Sequence, residues 1–201
     1  MTRIRFVTIE VDGGTAAEHF YRTLALDDHV RVRQSEAPTA GFRGFTLSLI
    51  AAQPANVDSI MQAGLDAGAR LVTPATRSLW GYGGTLQAPD GTICTVASSS
   101  KKNRGPAALQ IDHLVIQLGV SDVAASKRFY LERGVAVAKG IGRRYVELDT
   151  APVKVALLRR GALAKAAGVP ADGSGSHRLA IASDAGTFTD PDGFVWEDSA
   201  T

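Results

Sequence analysis

Imidazole and thiol side chains are few in this 201-residue chain, and they are scattered: four histidines, His19, His29, His113 and His177, and one cysteine, Cys94. His113 opens the run His113-Leu-Val-Ile-Gln-Leu118, whose alternation puts His113, Val115 and Gln117 on one strand face. That face either presents the imidazole to a ligand or buries it as a core histidine bonded to a neighbour. His177 follows Gly173-Ser-Gly-Ser176, and Glu197 ends the run Asp190-Pro-Asp-Gly-Phe-Val-Trp-Glu197. His19 and His29 read as helix-surface and turn residues. No Ser-His-Asp or Cys-His arrangement has usable context, so covalent nucleophilic catalysis is not expected. Gly13-Gly14 and Gly140-Ile-Gly142 complete neither a GxGxxG nor a GxxxxGK pattern, so they read as turns rather than phosphate loops. Cys94 reads as small apolar packing within a strand.

The aromatic side chains offer the lining of an apolar pocket. Trp80 and Tyr82 sit among Gly81, Gly83 and Gly84, a glycine-rich edge that suits the mouth of a cavity. Together with Phe6, Phe45 and the polar Gln117, they would line a pocket able to grip a small molecule. Core packing is the competing role, most of all for Phe20, Phe45 and Phe129. Arg143-Arg144 and Arg159-Arg160 either attract an anionic substrate or cover a solvated sheet face.

The whole-chain numbers exclude several classes. Apolar residues make up 45% and charged ones 21%, an ordinary globular balance. The 22 basic and 20 acidic residues are interspersed, giving a formal charge of +2 without a block of like charges. Nucleic acid is therefore not an expected partner. A single thiol fits a reducing compartment. The basic start runs straight into alternating apolar residues rather than into a signal peptide, and no stretch reaches the 18 or so apolar residues of a membrane span. The expectation is a cytoplasmic protein with a small-molecule partner and no membrane partner, with room for a homodimer.

The elements that must position these residues come in a repeat. Apolar periodicity stops at Ala97-Ser-Ser-Ser-Lys-Lys-Asn-Arg-Gly-Pro-Ala107, which predicts a solvated connection between units at 1–100 and 108–201. Each half opens with an alternating strand, Phe6–Val11 or His113–Leu118. In the first, Val7, Ile9 and Val11 share one face and Phe6, Thr8 and Glu10 the other. A helix follows each strand, capped by Thr15 with Glu18 or by Ser121 or Asp122. Each helix carries a Phe-Tyr pair, and each half closes on Pro-Asp-Gly and a short strand. The offsets agree: 107 residues from Phe6 to His113, 109 from Phe20 to Phe129 and 102 from Pro89 to Pro191. In the middle the halves differ. Asn56 begins a helix with the stripe Val57, Ile60, Met61 and Leu65, ending at Gly68. The second half shows strands at Tyr145–Leu148 and Val153–Leu158, a Gly/Ala/Pro-rich loop to Ser176 and a strand from His177 to Ala182, with no counterpart of that helix. The class is α+β.

In this order, twice over, Ile111-Asp-His113, the Asp122 to Phe129-Tyr130 helix, Trp80-Gly-Tyr82-Gly-Gly with Pro89-Asp-Gly91, and the terminal Asp190-Pro-Asp-Gly-Phe-Val-Trp-Glu197 resemble the vicinal-oxygen-chelate superfamily of glyoxalases, bleomycin-resistance proteins and extradiol dioxygenases. The resemblance implies paired βαβββ modules forming curved antiparallel sheets around a cavity. It also implies a divalent metal, where present, on the first and last strands of the modules. Carried over, it places His113, His177 and Glu197 as a two-histidine, one-carboxylate set suited to Fe(II), Mn(II), Ni(II) or Zn(II) in a lyase, isomerase or dioxygenase. Phe6, Phe45 and Thr95 stand at the corresponding positions of the first half, so that half holds no metal. The alternative that the resemblance allows is a metal-free, antibiotic-type binding or resistance protein.

Overall fold

The computed structural model describes residues 1–174 and 178–199. The first half runs β1 (Thr2–Val11), α1 (Gly14–Thr23), β2 (Val30–Gln34), β3 (Ala40–Gly41), β4 (Phe45–Ile50), α2 (Pro54–Asp66), β5 (Arg70–Ser78), β6 (Gly81–Gln87) and β7 (Ile93–Ser98). The second runs β8 (His113–Val120), α3 (Val123–Glu132), β9 (Val137–Ile141), β10 (Tyr145–Leu148), β11 (Thr150–Pro152), β12 (Lys154–Arg159), α4 (Arg160–Ala167), β13 (Gly173–Ser174), β14 (Leu179–Ser183), β15 (Phe188–Thr189) and β16 (Val195–Asp198). The α+β class stands.

Two sheets carry the fold, and each takes strands from both halves. The larger is ordered β5-β6-β7-β4-β8-β12-β10-β9 and is built from two complete βαβββ modules, β4-α2-β5-β6-β7 and β8-α3-β9-β10-β12. They meet where β4 pairs antiparallel with β8, Ile50 opposite His113 and Thr46 opposite Gln117. The smaller sheet is ordered β11-β1-β14-β16-β15, with β2 also on β1, and takes β1 and β2 from the start of the chain and the rest from its second half. Both sheets are mixed. Within a module the helix returns the chain, so β5 runs with β4 and two antiparallel turns leave β7 parallel to β4; β12 lies parallel to β8 for the same reason.

One core cluster joins the inner faces of both sheets to α1, α2 and α3. Phe45, Leu47 and Leu49 of β4 and Leu114, Ile116 and Leu118 of β8 point inward, so Thr46, Ser48, His113, Val115 and Gln117 point outward. A register shift near Arg5 lets both Ile4 and Val7 face the core, while Phe6, Thr8 and Glu10 keep the outer face. Cys94 lies on the inner face of β7, fully buried, where loss of solvent pushes its thiol far above the ordinary range and leaves it unreactive.

Three local expectations are corrected. Asp122 caps α3, accepting from the backbone N–H of Ala124 and Ala125 at 2.8 and 3.3 Å, but α1 begins at Gly14 behind Gly13, so Thr15 lies inside the first turn and makes no capping bond. The second helix of the first half starts at Pro54, two residues before Asn56. The second half does hold another helix, α4. Its Leu163, Ala164 and Ala167 pack on Phe42, Ile93 and Leu158, across one end of the larger sheet's outer face. Gly119 is required beneath it, because a Cβ there would lie 2.7 Å from the Gly44 carbonyl and 3.0 Å from Arg160 Cα. Among the described residues, no helix is long and apolar enough to cross a membrane.

Candidate functional site

With α4 covering the end that holds Ile93 and Leu158, the opposite end of the larger sheet's outer face stays open. It forms a cavity of about 260 Å³ whose walls include Ser48, His113, Gln117, Lys139, Tyr145, Glu147 and Lys154. Strand order brings these residues together. β8, β12, β10 and β9 are neighbours, so Gln117 lies beside Ala156, Ala156 beside Glu147, and Glu147 beside Lys139. Small Ala156 in the middle leaves the floor shallow enough for a ligand to lie on.

Glu147 is the electrostatic centre of the cavity. It is only 8% exposed, yet Lys139 Nζ lies 2.9 Å and Lys154 Nζ 3.6 Å from its two oxygens. The Tyr145 hydroxyl also donates to it at 2.8 Å. Burial pushes its pKa up, but the hydrogen bonds from Lys139 and Tyr145 and the two lysine charges outweigh this and hold it below the ordinary glutamate value of 4.5. The same burial, and donation to a carboxylate, push the Tyr145 hydroxyl well above its usual range, so it remains a donor. Gln117 Oε1 accepts from Thr46 Oγ1 at 2.9 Å, which fixes its amide toward the cavity.

The lowered pKa of Glu147 fixes the sign of a pH effect. Its ionised form is favoured by folding, so its contribution to stability is present above pH 4.5 and lost as pH falls through the lower folded value. The difference in urea-unfolding free energy between the native chain and Glu147→Gln is therefore expected to be constant near neutrality and to shrink steadily below pH 4.5. A difference independent of pH would show that Glu147 carries no charge-dependent stability.

The smaller sheet presents a different outer face. Arg33 of β2 reaches across β1 and β14, and its guanidinium lies between Glu10 and Glu197, 2.9 Å from one carboxylate and 3.3 Å from the other. Phe6 lies under the guanidinium of Arg31, whose carbon is 3.5 Å from the ring centroid. Phe6 and Glu197 share a cavity of about 430 Å³ there.

Set against these faces, the residues singled out in the sequence disperse. His113 and Gln117 line the larger sheet's cavity, whereas Glu197 and Phe6 line the other sheet. His177 lies outside the described residues. Phe45 points into the core rather than toward a cavity, because β4 turns its odd-numbered residues inward. Trp80 is 89% exposed at the tip of the β5–β6 hairpin, and with Tyr82 it edges a shallow hollow of about 200 Å³. The Tyr82 hydroxyl donates to Asp58 at 2.7 Å. Glu147, Lys139 and Lys154 were not apparent from the sequence; the signal available was Tyr145 and Glu147, two residues apart on one strand face.

No protein-family model and no curated protein matches the sequence. Solved structures do. Glyoxalase I from Zea mays superposes with a TM-score of 0.63 at 13% identity, covering 98% of this chain and 91% of that one. A putative dioxygenase from Bacillus subtilis subsp. subtilis str. 168 gives 0.51 at 12% identity, covering 89% and 69%. The chain has the vicinal-oxygen-chelate fold. At such identities the likeness is one of architecture, and the paired βαβββ modules of the larger sheet are its clearest expression.

Whether a vicinal-oxygen-chelate metal fits depends on the donor set. In the larger sheet, the outward side chains of the first and last module strands include one metal-ligand type, His113. Beside it stand Thr46, Ser48, Thr95 and Ala156, with the ammonium of Lys154. In the smaller sheet the two carboxylates that a cation would need already hold a guanidinium. Among the described residues, no three His, Cys, Asp or Glu side chains come close enough to hold an ion. These residues do not fit a divalent metal.

Proposed function

We propose that the chain is a metal-independent binding protein for a small carboxylate-bearing molecule, held on the outer face of the eight-stranded sheet. The observation that carries this reading is the convergence of Lys139 and Lys154 on the single carboxylate of Glu147. Two ammonium groups thus share one carboxylate, which leaves these three side chains with a net positive charge in the cavity wall. Lys154, the more loosely paired at 3.6 Å, has donors to spare for an incoming anion. His113, Gln117 and Ser48 supply further polar contacts around it.

Thermal unfolding tests the reading, because a ligand that binds only the folded chain raises the midpoint by mass action. Millimolar small carboxylates are expected to raise it in the native chain and to have no effect in Lys154→Ala. Added Mn(II), Ni(II) or Zn(II), or EDTA, is expected to leave it unchanged. A midpoint insensitive to every carboxylate, or one that rises only with metal, would overturn the proposal.

A further inference from the structure

Leu79 and Trp80 form the two-residue tip of the β5–β6 hairpin, where Ser78 pairs with Gly81. They are 86% and 89% exposed, more than any other large apolar side chain among the described residues. Turn chemistry does not account for them, because tight hairpin turns favour Gly, Asn and Asp. Ser78 ties the turn instead: its hydroxyl accepts from Trp80 N–H at 3.1 Å and donates to the Gly81 carbonyl at 3.4 Å. Two large apolar side chains are thus held out in water, where their hydration is unfavourable.

The surroundings of the tip are cationic. Arg77, the residue before Ser78, donates to the Lys101 carbonyl at 2.6 Å, and Tyr82 pairs with Ser98, so the connection between the halves starts out beside the hairpin. That connection is itself fixed to the start of α2. Ala55 N–H donates to Asn103 Oδ1 at 2.8 Å, and Gln53 Oε1 accepts from Arg104 N–H at 2.6 Å. Arg77, Lys101 and Lys102 are all exposed, and neither segment 67–89 nor segment 91–111 contains an acidic residue. Asp58 of α2 brings a carboxylate to the hairpin, accepting from the Tyr82 hydroxyl at 2.7 Å. These four groups sum to a positive charge beside the apolar tip.

We infer that the tip docks the protein on the surface of an anionic lipid bilayer, with Leu79 and Trp80 in the headgroup layer and Arg77, Lys101 and Lys102 over acidic headgroups. Tryptophan favours that layer because its ring is apolar and its N–H polar. Lysine stems run along apolar surface and leave the charge at headgroup level. A protein partner needs about 800 Å² of buried surface on each side to hold stably, and a nucleic-acid strand is gripped by several stacked rings along a cationic groove. A protruding tip with one fully exposed ring suits neither. The sequence expectation of no membrane partner rested on the lack of an apolar span; here the fold gathers apolar and cationic residues that are separated in the chain.

The test is co-sedimentation of the full chain with phosphatidylcholine vesicles, with and without phosphatidylserine, read together with tryptophan emission. The chain's other tryptophan, Trp196, is fully buried, so a spectral shift on adding vesicles reports Trp80. Binding and a blue shift are expected with phosphatidylserine at low salt, and both should fade as added salt screens the charges. Each cation near the surface tightens binding roughly fivefold, so Lys101→Gln with Lys102→Gln should weaken it roughly 25-fold. Leu79→Ser with Trp80→Ser should leave the protein in the supernatant. Both pairs of changes fall on exposed side chains and should keep the native unfolding midpoint. A native chain that stays in solution with both kinds of vesicle would overturn the inference. So would undiminished binding of the Leu79→Ser, Trp80→Ser variant, which would be charge attraction alone. An emission shift produced by oligothymidylate or polyglutamate but not by vesicles would overturn it in favour of a nucleic acid or an acidic protein.

Discussion

Replacing Arg43 with methionine is expected to destabilise the chain by about 3–5 kcal/mol, the range for removing one partner of a buried ion pair. Arg43 is 4% exposed and Asp90 is fully buried; their charged atoms lie 3.4 Å apart. The guanidinium also donates to the Thr92 hydroxyl and, at 3.3 Å, to the Glu10 carbonyl. Asp90 belongs to the first Pro-Asp-Gly turn and accepts from the Tyr21 hydroxyl at 3.1 Å and from Thr92. Methionine fills much of the arginine's volume but leaves the Asp90 carboxylate buried without a cation, so the loss is one of charge compensation rather than of packing. Chemical denaturation of the two proteins measures it. Asp90→Asn added to Arg43→Met should recover part of the deficit, because the doubly altered chain buries no charge. A single-variant loss under about 1 kcal/mol would mean that water reaches the pair.

Much of the fold could be read because its two repeated landmarks touch. The Phe-Tyr pair of each helix and the Pro-Asp-Gly turn of the same half are joined by one hydrogen bond, Tyr21 to Asp90 in the first half and Tyr130 to Asp190 in the second. A repeat written into contacts between buried polar groups leaves a strong trace in sequence, since few residues can replace either partner. Helix α4 left almost none. Arg160-Gly-Ala-Leu-Ala-Lys-Ala-Ala167 is too short and too alanine-rich to show a stripe, and it is held by docking onto the sheet rather than by its own pattern. Gly168, left-handed at φ 73°, was the one local sign of its end.

The site was less legible, for a topological reason. His113 and Glu197 open and close the second half, and only the family resemblance places them in one site. Each half, however, divides its strands between the two sheets. β8 lies at the centre of the larger sheet and β16 in the smaller one. Lys139, Glu147 and Lys154 become neighbours only through the strand order β12-β10-β9, which no local pattern encodes. The phase of a strand, by contrast, was accessible: Gln117 and His113 were placed correctly on one face, while Phe45 followed its own alternation into the core.

In the second half's counterpart of the Arg43 cluster no cation pairs with the carboxylate among the described residues, and there Asp190→Ala is expected to cost about 3–5 kcal/mol by a different route. One oxygen of Asp190 accepts from the Tyr130 hydroxyl at 2.7 Å; the other accepts from the backbone N–H of Asp192 at 3.0 Å and of Phe194 at 2.8 Å. The Tyr130 hydroxyl in turn accepts from Trp196 Nε1 at 3.2 Å, and Tyr130, Phe188 and Trp196 pack ring against ring around it. Truncation strands three donors at once, and each buried donor left without an acceptor costs about 1–3 kcal/mol. For a domain of this size, a 3 kcal/mol loss lowers the unfolding midpoint by roughly 6–12 °C. The charge itself is not what stabilises this cluster. Burial raises the pKa of Asp190 above the ordinary 3.8, only partly opposed by the bonds from Tyr130 and Phe194. Folding therefore favours the protonated carboxyl, and the contribution of Asp190 to stability is greatest below pH 3.8 and declines as pH rises through the higher folded value. The measured gap between the native chain and Asp190→Ala should thus narrow on going from acid to neutral pH, opposite in direction to the gap for Glu147→Gln. Parallel pH profiles for the two variants would refute the assignment of Asp190 as a buried acceptor without a compensating cation.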